Sequence, residues 1–220
     1  FDDQQVYENI FHAGKWAGIF QFTEQGAQSF CVRAKPTSII DLSAVTSIYR
    51  PGPLSADVHE SYIEAKEAPH HIRYLSKDVQ EVTEETFGFM IFQEQIALLA
   101  HKLGGLTLDE GNLLRKVLTK KGTGKTSITQ RLHDKFIKGC RKNRIATQAA
   151  EDMWRKFEFF SGYGFNKSHA VAYSIISYQC AWLWNYYPAE WMAAFLDRST
   201  LTSPALCGKS AKTEKLSFNR

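Results

Sequence analysis

Apolar residues recur at intervals of three and four along most of this chain, which predicts a mainly α-helical fold with a few short extended segments. In "SITQRLHDKFIKGCRKNRI" the apolar positions Ile128, Leu132, Phe136, Ile137 and Cys140 form one stripe, so the lysines and arginines lie on the outer face. The segment "TQAAEDMWRKFEFF" repeats this pattern. Only "WAGIFQF" and "FGFMIF" indicate extended chain.

Polar residues mark where several of these helices begin and end. Thr23 is expected to cap one helix, and Gly104 is expected to end another. Thr107 and Glu110 have capping-box spacing and predict a helix over 108–119. Downstream, the uncharged run Ala170–Ala189 approaches the length of a membrane span. Serines and a proline interrupt it, which favours a helix buried in protein, and no membrane partner is expected.

Composition indicates a folded globular protein. The chain has 220 residues, 44% of them hydrophobic, enough for a sizeable core. Its four cysteines lie far apart without a CxxC pair or a histidine at ligand spacing, so we expect reduced thiols, a cytoplasmic location and no metal site. Phe1 is not an initiator methionine, and no secretion leader follows it, which suggests that the sequence is cut from something longer.

Charge is distributed unevenly. Residues 1–110 carry 8 basic and 16 acidic groups, whereas residues 111–220 carry 19 basic and 7 acidic groups. Eleven basic residues lie between Arg115 and Arg144, with Asp134 as the single acid. Such an excess is typical of a surface that contacts a polyanion, although a solvated lysine-rich face is the alternative.

The basic turn "KKGTGKTS" resembles a nucleotide-hydrolase phosphate loop only superficially. The motif GxxxxGK[ST] requires a glycine at position 119, where this sequence has Thr119. The preceding segment also reads as a helix rather than a buried strand. Two interpretations remain: a solvated turn between helices, or a turn that contacts phosphate without hydrolysing it.

The stretch "FFSGYGFNKSHAVAYSIISYQCAW" joins two helices through a glycine-hinged loop. Gly162 and Gly164 allow a sharp turn, and Asn166 or Ser168 is placed to cap the next helix. Free amides at that helix start would suit phosphate, and aromatic side chains would suit a base. The residues that carry this hypothesis are Phe165, Asn166, Lys167, Ser168, His169 and Tyr173.

Four consecutive blocks resemble the bacterial C-family replicative DNA polymerases, the family of the DNA polymerase III alpha subunit. They are "IYRPGPL", "FGFMIFQEQIALLAHKLGGLTLDEGNLLRKVLTKKG", "FSGYGFNKSHAVAYSIISYQCAWL" and "YYPAEWMAAFL". The resemblance covers roughly Phe1 to Leu196 and implies a helical fingers domain over 36–196. Residues 1–35 would then form the end of the palm and the entry to the fingers, and residues 197–220 read as a loose, divergent tail.

The resemblance also implies roles for the basic residues. Arg115 and Lys116 would face the triphosphate of the incoming nucleotide, with Lys116 standing where the family has a second arginine. Lys120 and Lys121 fall in the basic fingers segment, and the glycine-hinged loop would close the same pocket. The residues assigned to DNA are Arg50, Lys125, Arg131, Lys135, Lys138, Arg141 and Lys142.

Catalysis is expected to need residues outside this chain. The sequence has no DxD pair on an apolar strand, and the resemblance implies that the three catalytic aspartates, which hold Mg²⁺, lie upstream. The chain alone is therefore expected to bind deoxynucleoside triphosphates and template-primer DNA without catalysing. Its expected partners are the remaining parts of the polymerase and replisome subunits. The alternative is a free-standing basic helical DNA-binding module.

Overall fold

The computed structural model describes residues 1–119 and 127–202 and confirms a mainly α-helical fold. In this part of the chain there are twelve α-helices and no strand longer than an isolated bridge between Phe92 and Phe165. A π-helical turn, Tyr7–His12, and two 3₁₀ turns, Pro69–His71 and Glu84–Thr86, complete the helical structure. The α-helices are α1 Gln4–Val6, α2 Gln25–Ala34, α3 Ile39–Ile48, α4 Pro51–Ser55, α5 Val58–Glu67, α6 Lys77–Thr83, α7 Gln93–Gly104, α8 Leu108–Thr119, α9 Ser127–Lys142, α10 Thr147–Ser161, α11 Lys167–Tyr186 and α12 Pro188–Thr202.

Helix boundaries partly follow the expected signals. The capping box of α8 is confirmed, because the Thr107 amide donates to Glu110 Oε2 at 2.8 Å and the Glu110 amide donates to Thr107 Oγ1 at 3.2 Å. The expected cap Thr23 is wrong, since Glu24 precedes α2 in extended conformation. The helix α7 ends at Gly104 as expected, and the left-handed residue that caps it is the next one, Gly105, with φ of 63°.

The expected extended segment "WAGIFQF" is wrong, because residues 16–22 form turns. Gly18 and Gln21 have φ of 77° and 71°, which breaks any strand geometry. In "FGFMIF" the chain turns at Phe87 and Gly88 and is paired only at Phe92.

The first core cluster gathers the amino-terminal helices around α11. Its largest fully buried side chains are those of Tyr7, Phe11, Phe22, Tyr62 and Phe92. The expected burial of α11 holds along one face. There Ser174, Ser177 and Ala181 are inaccessible, whereas Ile176 on the opposite face is 42% exposed.

The second core cluster is formed by residues of the helices from α6 through α10. It adjoins the first cluster near the start of α7. Ile91 and Phe92 belong to the first cluster, whereas Met90 and Ile96 belong to the second. Phe160 packs against both. The start of α7 therefore lies at the seam between the two clusters.

Within the second cluster, α9 crosses α7 closely enough to require glycine. A Cβ at Gly139 would lie 1.7 Å from the Gly104 carbonyl oxygen, and one at Gly104 would lie 2.2 Å from the Phe136 ring. The predicted stripe of α9 is buried at Leu132, Phe136, Ile137 and Cys140, but Ile128 is 42% exposed.

The cysteines that the structure describes, Cys31, Cys140 and Cys180, are free thiols. Burial raises the pKa of Cys31 and raises that of Cys140 to about 11, so both remain protonated at neutral pH. Cys207 lies outside the described residues.

Helix α12 continues six residues past Leu196, to Thr202. The segment interpreted as a divergent tail is 197–220, and residues 203–220 of it lie outside the described residues. Over the residues that the structure does describe, no helix has both the length and the apolar character needed to cross a bilayer.

Candidate functional site

The first turn of α7 attaches the glycine-hinged loop to the rest of the molecule. The Phe165 amide donates to the Ile91 carbonyl at 2.9 Å, and the Gln93 amide donates to the Phe165 carbonyl at 2.9 Å. These bonds make up the isolated parallel bridge at Phe92. The loop before α11 is therefore fixed to the chain that leads into α7.

The side chain of Gln93 links Arg115 to this loop. Arg115 Nη1 donates to Gln93 Oε1 at 2.7 Å, and Gln93 Nε2 donates to the Gly164 carbonyl at 2.8 Å. The amide orientation follows from its partners, because arginine only donates and a carbonyl only accepts. Arg115 of α8 and the loop that precedes α11 thus meet through one side chain.

The start of α11 is already occupied by side chains of the protein. Asn166 is the N-cap, since its Oδ1 accepts from the His169 amide at 2.8 Å. Glu94 Oε2 accepts from the Lys167 amide at 3.0 Å, and Glu94 Oε1 accepts from Asn166 Nδ2 at 2.8 Å. The expectation of free amides at this helix start is therefore wrong for His169, whose amide binds the Asn166 cap, and for Lys167, whose amide binds the Glu94 carboxylate where a phosphate was expected.

Two further residues of the loop are engaged locally. The Lys167 ammonium forms an ion pair with Glu85 and lies 5.6 Å from the centre of the Phe92 ring. The Ser168 hydroxyl is exposed and donates to Asn166 Oδ1 at 2.7 Å. Lys167 is thus directed towards the turn after α6.

Aromatic side chains and a guanidinium form a continuous column beside the loop. The Cζ atom of Arg50 lies 4.7 Å from the centre of the Phe165 ring. The rings of Phe165 and His169 meet edge-on, with their centres 5.4 Å apart. The ring centres of His169 and Tyr173 are 4.0 Å apart, and those of Tyr173 and Phe20 are 5.2 Å apart. Arg50, assigned to DNA from the sequence, therefore lies with the residues assigned to the nucleotide.

Of the two glycines in the loop, only Gly164 is tightly packed. Gly162 has φ of −68°, which other residues adopt, and the nearest atom to an added Cβ is 3.7 Å away. A Cβ at Gly164 would lie 3.1 Å from Gln93 Cγ and 3.2 Å from the Phe160 carbonyl oxygen. Close packing against Gln93, rather than a left-handed turn, accounts for Gly164.

A third glycine, Gly52, allows α4 to pack closely against the loop. A Cβ at Gly52 would lie 2.4 Å from the Tyr163 ring, so the stiff "RPGPL" turn packs directly on the side chain between the two loop glycines. This contact places Arg50, which precedes α4, beside Phe165.

The basic residues of α9 face outwards. Arg131, Lys135, Lys138 and Lys142 follow one another at intervals of four, three and four, which places them on one side of the helix, and all are exposed. Arg141 is exposed on an adjoining face, where its Nε donates to Thr147 Oγ1 at 3.1 Å.

Lys135 bridges α9 to the start of α8. Its ammonium contacts both carboxylate oxygens of Glu110 at 2.6 Å. This hydrogen bond, followed by that from the Thr107 amide, lowers the pKa of Glu110. Lys116 is exposed on α8, whereas the candidates Lys120, Lys121 and Lys125 lie outside the described residues.

Gln93 and Glu94 carry the main contacts of this site, yet sequence reasoning assigned them no role. They stand at the start of an apolar helix, where polar residues are commonplace. Their partners at Gly164 and Asn166 are 71 and 72 residues away, so no local spacing indicates the contact.

The residues in this region do not form a metal centre. Over the described ranges, no three His, Cys, Asp or Glu side chains come together in a group that could hold a metal ion. Mg²⁺ is therefore assigned to none of them.

Comparisons with known proteins agree on one family. The family model described as the bacterial DNA polymerase III alpha subunit finger domain matches residues 1–144. The DNA polymerase III subunit alpha of Treponema pallidum is 36% identical over 218 residues, which cover 99% of this chain and 18% of that protein. The corresponding subunit of Campylobacter jejuni is 37% identical over 89% of this chain, and that of Rickettsia prowazekii is 39% identical over 90%. The chain spans less than a fifth of the length of these relatives.

Proposed function

The chain belongs to the family of the bacterial DNA polymerase III alpha subunit finger domain, and on this premise we propose that its seam binds the incoming deoxynucleoside triphosphate. In this proposal Arg115 and the loop from Gly162 to His169 line one site, and the outer face of α9 contacts template-primer DNA. The activity that they serve is DNA-directed DNA synthesis by the complete polymerase.

The observation that carries the proposal is the link from Arg115 through Gln93 to Gly164. Two hydrogen bonds, of 2.7 and 2.8 Å, join a guanidinium of α8 to the loop before α11. A nucleotide that contacts both elements needs them to lie within its own length, and this link keeps them there.

The chemistry of these groups suits different parts of a nucleotide. The half-buried Arg115 guanidinium and exposed Lys116 ammonium offer positive charge to phosphates, with Arg115 able to make a two-pronged contact. The column of Phe165, His169 and Tyr173 offers flat faces to a base or sugar. Because Glu94 already binds the Lys167 amide, the triphosphate is assigned to the side chains rather than to the start of α11.

The remaining parts of the reaction are assigned outside the described residues. Mg²⁺ would supply charge neutralisation at the triphosphate, held by carboxylates of the rest of the polymerase, so this chain alone is expected to be inactive. A cytoplasmic location and contacts with other replisome subunits belong to the same proposal. The free-standing DNA-binding module is not favoured, because the matched relatives are much longer polymerase subunits.

Replacing Arg115 in the complete polymerase tests the proposal. Arg115→Ala should raise the KM for nucleotides and lower kcat, reducing kcat/KM about 10- to 100-fold, since hydrogen bonds to charged groups contribute about 1.5–3 kcal/mol. Tyr173→Ala should disturb base or sugar selection with a smaller effect on the KM for nucleotides.

The control is Arg73→Ala, which removes an exposed guanidinium from the loop between α5 and α6. Steady-state incorporation of a single nucleotide is measured for all three variants. If Arg115→Ala resembles Arg73→Ala, the assignment of Arg115 to the triphosphate is wrong.

A further inference from the structure

We infer that Gln93 is a positioning residue, which holds the Arg115 guanidinium and the glycine-hinged loop in fixed relation so that both contact one nucleotide. This inference rests on the proposed function of Arg115. It concerns a side chain to which neither the sequence nor the comparisons assign a role.

The side-chain amide of Gln93 meets both requirements at this position. Gln93 Oε1 must accept from Arg115, and Gln93 Nε2 must donate to the Gly164 carbonyl. A carboxylate would keep the first contact and set an oxygen against the Gly164 oxygen. A thioether of similar length would provide neither contact at useful strength.

The bonds of the backbone and of Glu94 remain when the Gln93 side chain changes. The backbone N–H of residue 93 would still donate to the Phe165 carbonyl. Glu94 would still accept from the Asn166 side chain and from the backbone N–H of Lys167. The loop therefore keeps its attachment to α7, and substitution at Gln93 acts chiefly on Arg115 and Gly164.

Gln95, two residues further along, is a matched structural amide. It is 2% exposed, and its Nε2 donates to the Val82 carbonyl and to Thr86 Oγ1 at 3.0 and 2.8 Å. Its Oε1 accepts from the Phe92 amide at 3.0 Å. All three partners lie within the fold rather than among the residues assigned to the nucleotide, so Gln95→Met separates a loss of stability from a loss of positioning.

The experiment measures single-nucleotide incorporation and thermal unfolding in the complete polymerase. Gln93→Met should reduce kcat/KM about tenfold, mainly through a higher KM for nucleotides, because the guanidinium loses a charge-assisted hydrogen bond. Gln93→Glu should also raise that KM, since a carboxylate would neutralise Arg115 and repel the Gly164 oxygen. Both should leave the KM for primer-template unchanged. Gln95→Met should lower the unfolding temperature without changing the KM for nucleotides.

A double-substitution cycle with Arg115→Ala decides whether Gln93 acts through the arginine. If it does, adding Gln93→Met to Arg115→Ala should cause little further loss. Additive losses, or an unchanged KM for Gln93→Met beside an effective Arg115→Ala, would overturn the inference and leave the proposed function intact. An ineffective Arg115→Ala would instead overturn the proposed function, and the inference with it.

Discussion

Replacing Lys66 tests the buried ion pair that joins α5 to α3. The Lys66 ammonium pairs with the Asp41 carboxylate and donates to the carbonyl oxygens of Ala34 and Lys35, both at 2.7 Å. The Lys66 side chain is 16% exposed, and that of Asp41 is 7% exposed. Asp41 also accepts from the buried Tyr62 hydroxyl at 2.8 Å. One ammonium thus ties the end of α2 to α3 and α5.

Lys66→Met keeps the aliphatic stem and removes the charge. Removing one partner of a buried pair costs about 3–5 kcal/mol, because the other charge is left without compensation. Asp41 would retain its hydrogen bonds from Tyr62 and from the Thr37 amide, which is 3.0 Å away. We therefore expect a loss of about 3 kcal/mol in the free energy of unfolding, the lower end of that range. In a chain of this size, such a loss lowers the unfolding temperature by about 10 °C.

The control is Arg33→Met, which removes an exposed ion pair between α2 and α5. Arg33 of α2 pairs with Glu60 of α5, and their side chains are 50% and 36% exposed. Water replaces such contacts readily, so the change in unfolding temperature should be small beside that of Lys66→Met. Both are measured by circular dichroism on heating. Equal shifts for the two variants would refute the reasoning. Adding Asp41→Asn to Lys66→Met should restore part of the loss, because it removes the unpaired charge.

Two further predictions concern α9. Partial burial opposes the charged form of His133, but its hydrogen bonds with Glu151 and Asp134 prevail and raise its pKa. The stabilisation from this imidazolium, which also faces Trp154, should be complete below about pH 6.5 and disappear as pH rises through the folded-state pKa. In His133→Gln, the unfolding temperature should no longer depend on pH in this way. If its pH profile matches that of the unsubstituted protein, His133 is not the source of the dependence. For the complete polymerase, replacing four exposed cations by glutamine should make binding to duplex DNA less salt-dependent, by about 3.6 units in the slope of log affinity against log salt concentration. An unchanged slope would exclude this face. The four cations are Lys135, Lys138, Arg141 and Lys142.

Helices were predictable from the sequence because their signals are local. The period of α9 identified Leu132, Phe136 and Cys140 as core residues, and all three are fully buried. The expectation of extended chain failed for "WAGIFQF". In the structure the rings of Trp16 and Phe22 stack 5.0 Å apart across turns, so these aromatics serve packing rather than a sheet.

The candidate site was predictable only in part. The family resemblance indicates a role for Arg115, and the sequence offers Asn166 or Ser168 as the cap, of which the structure has Asn166. The Glu94 carboxylate at the start of α11 comes from a different helix, 73 residues before Lys167. Such a contact depends on how the helices pack, so the sequence suggested open amides where the fold had already placed an anion.

Gln93 lies at the seam, so its side-chain amide contacts residues on both sides of it. Gln93 follows Phe92 of the first core cluster and precedes Ile96 of the second. Its partners lie on both sides, since Arg115 stands on α8 next to the buried Leu114 of the second cluster, and Phe165 packs against the first. A ligand held by Arg115 and the loop would therefore contact both clusters at once. Its binding would reinforce the same join that Gln93 makes, so the geometry of the site and the packing of the two clusters depend on each other.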